Sequence, residues 1–297
     1  MRAAPFHARW QAGPALDGGF AARLPLDDER WFAGHYPGVP VLPGTFLVEA
    51  LVQHACVALG GDLQLAEIVG CRFHSPLLPG DQIDATFTCQ ATAGDATRVE
   101  AKARCRDQLA AEATLLVAPA SAWPSAPVSS AASPAGRSLD LAFIRRALPH
   151  RPPALLVDSA LVLDTPEARS TLFARKTILA HETGGAGGGY PDMLVVESFC
   201  QSCGLLRAAT TPASDARDET KVPVVAKLAG LRLLGEAAAG DLLEHHVKMV
   251  VRTAEGAVFS GHTAVAGRVV LQVDRVVAAL ATVGRRDACD ARDTLDS

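Results

Sequence analysis

Two helix-length apolar runs, far apart in the chain, carry the same polar pair, and few folds accommodate both. Residues 44–59 read GTFLVEALVQHACVAL and residues 192–207 read DMLVVESFCQSCGLLR. Glu49 is followed four residues later by Gln53, and Glu197 by Gln201. Positions i and i+4 stand one above the other on a helix, so each pair shares a face. Apolar residues fill most of the remaining circumference, which predicts two helices buried nearly all round. Such a helix needs another element wrapped around it.

The sequence downstream of each run supplies the wrapping. RFHSPLLPGDQIDATFTCQAT, RVEAKARCR and AAEATLLVA follow the first run, and VVAKLAGLRLL, DLLEHHVKMVVRT, AVFSGHTAVAG and RVVLQVDRVVAAL follow the second. These segments alternate or run apolar at strand length. Both series contain a Gly-Asp turn, Gly80-Asp81 and Gly240-Asp241, 32 residues after Glu49 and 44 after Glu197. The polar insert Thr211–Val222 matches the difference in length. Between the copies, APASAWPSAPVSSAASPAGR (Ala118–Arg137) has almost no charge and no periodicity, which is linker composition. The chain thus divides into a first domain at 1–118, a linker at 119–137, a second domain at 138–283 and a polar tail at 284–297. The expected class is α+β, with each domain a long buried helix wrapped by an antiparallel sheet.

Composition narrows the function classes. The net charge of −4 gives no footprint for nucleic acid. No apolar run approaches the ~20 residues that span a bilayer, so no membrane partner is expected. The first fifteen residues lack a continuous apolar core, and a cytoplasmic location is expected. Cys200 and Cys203 have CxxC spacing but no second pair, and the cysteines read as small buried hydrophobes.

The residues that carry chemistry precede the first helix. Phe32-Ala-Gly-His35-Tyr-Pro-Gly-Val-Pro-Val-Leu-Pro-Gly44 packs three prolines and three glycines around one histidine. That composition fixes a tight, irregular loop and holds His35 in a rigid backbone. Gly44 lets a ligand approach the N–H groups at the helix start, where the dipole favours negative charge.

The run GHYPGVPVLPGTFLVEALVQ resembles the signature of the 3-hydroxyacyl-acyl-carrier-protein dehydratases, which have hot-dog folds, and the 14-residue spacing from His35 to Glu49 fits that family. RFHSPLLPGD resembles the family's strand and turn, and Leu148–Asp158 (LPHRPPALLVD) resembles its N-terminal signature. The resemblance covers both halves and implies two hot-dog folds fused in tandem. It departs in the second half, where alignment on Glu197 sets Thr183 in place of a histidine, in the loop HETGGAGGGYPD. In the family, the histidine of one unit faces the carboxylate of the other. His35 is therefore expected to meet Glu197, with Gln201 holding the carboxylate and Gly44 polarising the thioester oxygen. Glu49 and Gln53 would be left as a degenerate second site.

The resemblance implies removal of water from 3-hydroxyacyl thioesters, giving trans-2-enoyl products in fatty-acid or polyketide biosynthesis. The substrate would ride on the phosphopantetheine arm of an acyl carrier protein, with no cofactor and no metal. A neutral His35 suits the base, and burial of Glu197 is expected to raise its pKa and keep it protonated as the acid. Arg145, Arg146, Arg151 and Arg207 are candidates for a basic patch facing the carrier. His150 reads as structural or as part of the substrate entrance. His181 is badly spaced to replace the missing histidine, and His245 and His246 point to opposite faces of one strand. GAGGGY lacks the lysine of a phosphate loop. A hot-dog thioesterase and a non-catalytic acyl-binding or docking subunit are the competing functions, and double-bond isomerisation ranks below dehydration. The double fold is expected to act as a monomeric double hot-dog or a homodimer of it.

Overall fold

The computed structural model describes residues 8–60, 62–92, 94–119, 136–163, 170–183, 189–211 and 221–282. The body of the linker, the glycine stretch 184–188, the insert at 212–220 and the C-terminal tail lie outside the described residues.

The first half contains β1 (Gln11–Leu16), β2 (Gly19–Pro25), α1 (Gly44–Leu59), β3 (Leu63–Phe73), β4 (Gln82–Ala91), β5 (Thr97–Cys105) and β6 (Gln108–Pro119). The second contains β7 (Arg137–Leu139), α2 (Leu141–Ala147), β8 (Ser159–Val162), β9 (Thr171–Thr177), α3 (Asp192–Thr210), β10 (Lys221–Leu233), β11 (Leu242–Arg252), β12 (Gly256–Val265) and β13 (Arg268–Thr282). The strands form one antiparallel sheet in the order β1-β2-β4-β5-β6-β3-β10-β13-β12-β11-β9-β8-β7. The halves join at the β3–β10 pair, where Ile68 faces Leu231 and Cys71 faces Leu228. This is the tandem double hot-dog of the α+β class. The strand pattern follows from period two: in β4, Ile83, Ala85 and Phe87 are buried while Asp84, Thr86 and Thr88 face outward.

Equivalent backbone bonds show the repeat. Leu26 exchanges bonds with Asp81 and Gly80, as Ile178 does with Asp241 and Gly240. Leu42 N–H donates to Leu77, and Tyr190 N–H donates to Ala237. In each Gly-Asp turn the glycine is left-handed (φ 79° and 92°), and the aspartate carboxylate accepts a backbone N–H three residues back. From these anchors the histidine loop can be measured in both halves. Leu26 to Leu42 spans 16 residues and Ile178 to Tyr190 only 12, so the second copy of the loop is four residues shorter.

The two helices differ in burial. All of α3 from Met193 to Cys203 is buried, as the apolar pattern requires. The end of α1 is not, with Val57 and Leu59 exposed. Several elements escape the sequence pattern: β1, β2, α2 and β7 to β9 are short or weakly apolar. β3 begins at Leu63, well before Arg72, and RFHSPLLPGDQIDATFTCQAT is the end of one strand, a loop and a second strand.

Candidate active site

The His35 loop is shaped by backbone conformations that few residues allow. Gly34 (φ 75°) and Gly38 (φ 89°) are left-handed, and so is Tyr36 (φ 55°), a strained setting for a bulky residue. A Cβ on Gly34 would strike the carbonyl oxygen of Arg151 at 2.2 Å, so only glycine lets the loop press onto the second half. Arg151 N–H closes the contact by donating to Gly34 O at 2.8 Å. Tyr36 OH donates to Pro223 O at 2.6 Å, a second tie between the halves. His35 and His150 thereby come together, with ring centroids 5.0 Å apart.

His35 Nδ1 lies 2.7 Å from Val41 O. A carbonyl only accepts, so Nδ1 carries the proton and Nε2 keeps its lone pair. Burial and the charge of His150 lower the imidazole pKa to about 4, against the opposing pull of Glu197 and the Val41 bond. His35 is therefore neutral at physiological pH.

Glu197 sits one turn into α3 and is buried. Thr45 of α1 donates to Oε2 at 2.8 Å, and Gln201 Nε2 donates to Oε1 at 3.0 Å. Gln201 also donates to Ala154 O at 2.8 Å and accepts from Leu156 N–H at 2.9 Å, so the amide is fixed at both ends. His150 Nε2 lies 3.4 Å from Oε1. The sequence-based expectation of a protonated Glu197 is corrected here. Burial does push the carboxyl up, but the bond and charge of His150, the charge of His35 and the Gln201 amide outweigh it and hold the pKa at about 2. The donors that furnish the cavity favour the charged form of the carboxyl.

His35, His150 and Glu197 each present a polar atom within 4.8 Å of the others. They line a cavity of about 760 Å³ shared by both halves. Gly44 opens α1 at its wall, and a Cβ there would meet the Phe73 ring at 2.8 Å. The second helix begins instead with Asp192, behind the shorter loop. Glu49 accepts from Gln53 Nε2 at 2.9 Å, is half-buried, and is not among the described residues lining this cavity. Thr183, which alignment on Glu197 sets in the place of His35, is buried, and its hydroxyl donates to Ala180 O at 2.9 Å.

Other candidates fall elsewhere. His181 is exposed, while Glu182 pairs with Lys176 at 2.9 Å and caps Leu179. His245 is fully buried between Ser198 and Thr263, whereas His246 stacks on His262 on the other face. Cys200 and Cys203 are free thiols, pushed well above their ordinary pKa by burial, and so inert. Arg145 and Arg146 are exposed on α2, but Arg151 spends its guanidinium on the carbonyls of residues 148, 149 and 150.

Sequence reasoning missed two residues of the site, Thr45 and Tyr36, and read His150 only as structural or as part of the substrate entrance. His150 did carry a signal. It stands in PHRPP, a proline-stiffened setting like that of His35, although no helix follows it directly.

Comparison with known proteins agrees with this architecture. The ApeI-like family model, described as ApeI dehydratase, matches residues 20–112. The chain is 36% identical over 95 residues to the 3-hydroxyacyl-[acyl-carrier-protein] dehydratase FabZ of Cereibacter sphaeroides (strain ATCC 17025 / ATH 2.4.3), covering 29% of this chain and 61% of that protein. Against the enzyme of the same name from Pelotomaculum thermopropionicum it is 35% identical over 101 residues, covering 31% of this chain and 70% of that protein. Among solved structures, the dehydratase domain of PpsC from Mycobacterium tuberculosis, in complex with C12:1-CoA, superposes with a TM-score of 0.64 at 19% identity, over 93% of this chain and 98% of that one. A dehydratase of type I polyketide synthases superposes with a TM-score of 0.65 at 20% identity, with the same coverage. The fold and the sequence match define a dehydratase-type double hot-dog. The chain belongs to the 3-hydroxyacyl-[acyl-carrier-protein] dehydratase family.

Proposed function

We propose that this protein removes water from 3-hydroxyacyl thioesters held on the phosphopantetheine arm of an acyl carrier protein, at a single site between its halves. The observation that carries the reading is the meeting of His35 and Glu197, from different halves, in one cavity. Glu49, the equivalent carboxylate of the first half, is turned to Gln53 instead.

The chemistry follows from the states of the groups. Neutral His35 removes the proton at C2 through Nε2, next to the thioester carbonyl. Glu197 lies across from it and engages the departing 3-hydroxyl. The N–H of Gly44, at the positive end of α1, stabilises the charge that grows on the thioester oxygen. Carbonyl bonding at Nδ1 and the Thr45 and Gln201 bonds to Glu197 keep both groups in register, so little reorganisation is needed. The apolar wall, which includes Leu47, Leu148, Cys200 and Val225, suits a hydrocarbon tail. Exposed Arg145 and Arg146 lie just before Leu148 and give an acidic carrier a cationic surface. Fatty-acid or polyketide assembly in the cytoplasm is the setting this activity implies. Among the described residues, no helix is long and apolar enough to cross a membrane.

The test is intact-mass detection of water exchange on an acyl carrier protein, starting separately from the 3-hydroxyacyl and the enoyl form. Water loss or gain should be abolished in His35→Ala and reduced at least ~10²-fold in Glu197→Gln. Glu49→Gln should retain it within about threefold. Activity that depends on Glu49 rather than Glu197 would reject the cross-half site. No exchange on any chain length by a folded protein would turn the assignment to an acyl-binding subunit.

A further inference from the structure

His150 is poorly explained as a packing or hydrogen-bonding residue. It is buried, its Nε2 makes one long 3.4 Å contact with Glu197, and its Nδ1 has no hydrogen-bond partner among the described residues. A buried polar nitrogen without a partner costs free energy, and a glutamine has the length to reach toward the same carboxylate. What an amide cannot do is hold a transferable proton. The groups facing His150 are Glu197 on α3 and His35 and Tyr36 on the first-half loop, whose rings lie 5.0 and 5.4 Å away. All four are gathered in the cavity wall.

We infer that His150 is the proton store behind Glu197, so that the pair, rather than the carboxyl alone, supplies the proton that leaves with the hydroxyl. The inference rests on the assignment of His35 and Glu197 made above. It also removes a difficulty, since an ionised Glu197 has no proton of its own to give. One proton is shared between His150 Nε2 and Glu197 Oε1, which lie 3.4 Å apart, and is available to the departing oxygen.

The step balances. The C2–H bond breaks and its proton passes to His35 Nε2. Its electron pair forms the C2–C3 double bond as the C3–O bond breaks. The departing oxygen takes the shared proton through Glu197 and leaves as water. The pair is then one proton short and His35 one proton rich, and the adjacency of the two imidazoles provides the return path. His150 acts through Glu197 and is a positioning and proton-supplying residue.

The experiment compares two leaving groups on one acyl pantetheine, 3-hydroxy and 3-fluoro, in wild type, His150→Gln and His35→Ala. Fluoride is the anion of a far stronger acid than water and departs without a full proton. His150→Gln should lower kcat for the hydroxy substrate about 10²-fold, while fluoride release changes by less than about threefold. Retained fluoride release also shows that the variant is folded and that its base still works. Equal loss on both substrates would overturn the inference, as would hydroxy turnover unchanged from wild type. If His35→Ala leaves fluoride release intact, the assignment of the base fails instead, independently of His150.

Discussion

Thr45 of the first helix donates its hydroxyl proton to Glu197 of the second at 2.8 Å, both side chains being buried. This bond joins side chains of the histidine-bearing half and the acid-bearing half directly. It comes from the first turn of α1, next to Gly44 at the cavity wall. A hydrogen bond to a buried charge is worth about 1.5–3 kcal/mol. Thr45→Val keeps the shape and removes the donor, and should lower kcat about 10- to 100-fold with a smaller change in KM. Thr45→Ser should recover most of the loss. Steady-state kinetics on a short 3-hydroxyacyl pantetheine would check both.

The pKa of His35 sets the acid side of the rate profile. Burial, chiefly, holds it at about 4, below the ordinary histidine value of about 6.5. The base is lost only when Nε2 is protonated, so kcat/KM should stay flat as pH falls from 7 to about 5 and decline near 4. A limb near 6.5 would mean that the imidazole is better solvated than its surroundings allow. The measurement is kcat/KM from pH 3.5 to 8, with refolding checks at the acid end.

Much of this fold is legible in the sequence because two long helices and seven downstream strands announce themselves by apolar pattern. The weak elements do not. β1 is exposed along its whole length, and β7 and β8 are three and four residues long, too short for any period to show. His35, Gly44, Glu197 and Gln201 can be picked out because rigid loops and polar intruders on apolar helices are visible residue by residue. The ionisation of Glu197 is not visible in that way. It depends on His150, 47 residues away in sequence, and on His35, more than 150 residues away, and only folding brings these to one carboxylate. The same distance hides His150, whose local context says rigid loop and nothing about a neighbouring acid.

His245 gives a stability prediction of opposite sign to the usual salt-bridged histidine. Ser198 Oγ donates to Leu156 O at 2.6 Å, so His245 Nε2 donates to Ser198, and Nδ1 accepts from Thr263 at 2.8 Å. Burial and His246 lower the pKa of this neutral ring to about 3, while the unfolded value is near 6.5. Between those values the unfolded chain binds the extra proton, so stability is full above about 6.5 and falls as pH drops toward 3. The slope from this group approaches about 1.4 kcal/mol per pH unit. His245→Gln should be less stable at pH 7 yet lose less between pH 6.5 and 4.5. His35 is depressed in the same direction and leaves a residual slope in the variant. Urea midpoints at pH 7, 6, 5 and 4.5 would show the difference.

One face of α3 forms part of the cavity wall. Glu197, Gln201 and Gly204 recur at helical spacing along the cavity wall, and Leu148 faces Gly204. Seven residues of helix rise by about 10 Å, which is room for roughly eight further carbons beyond the reacting centre. A Cβ at Gly204 would sit 3.2 Å from Leu148 Cδ2, so a small addition forces the leucine to yield and a large one fills the channel. Gly204 is not left-handed, so substitution brings no backbone strain to confuse the result. Gly204→Leu should cut kcat/KM on a ten-carbon 3-hydroxyacyl thioester at least ~10-fold and leave the four-carbon substrate within about threefold. Gly204→Ala should fall between. A chain-length profile from four to twelve carbons, measured for all three proteins, would read this out. A uniform loss at every length would mean that Gly204 serves helix packing and that the tail runs elsewhere along the wall.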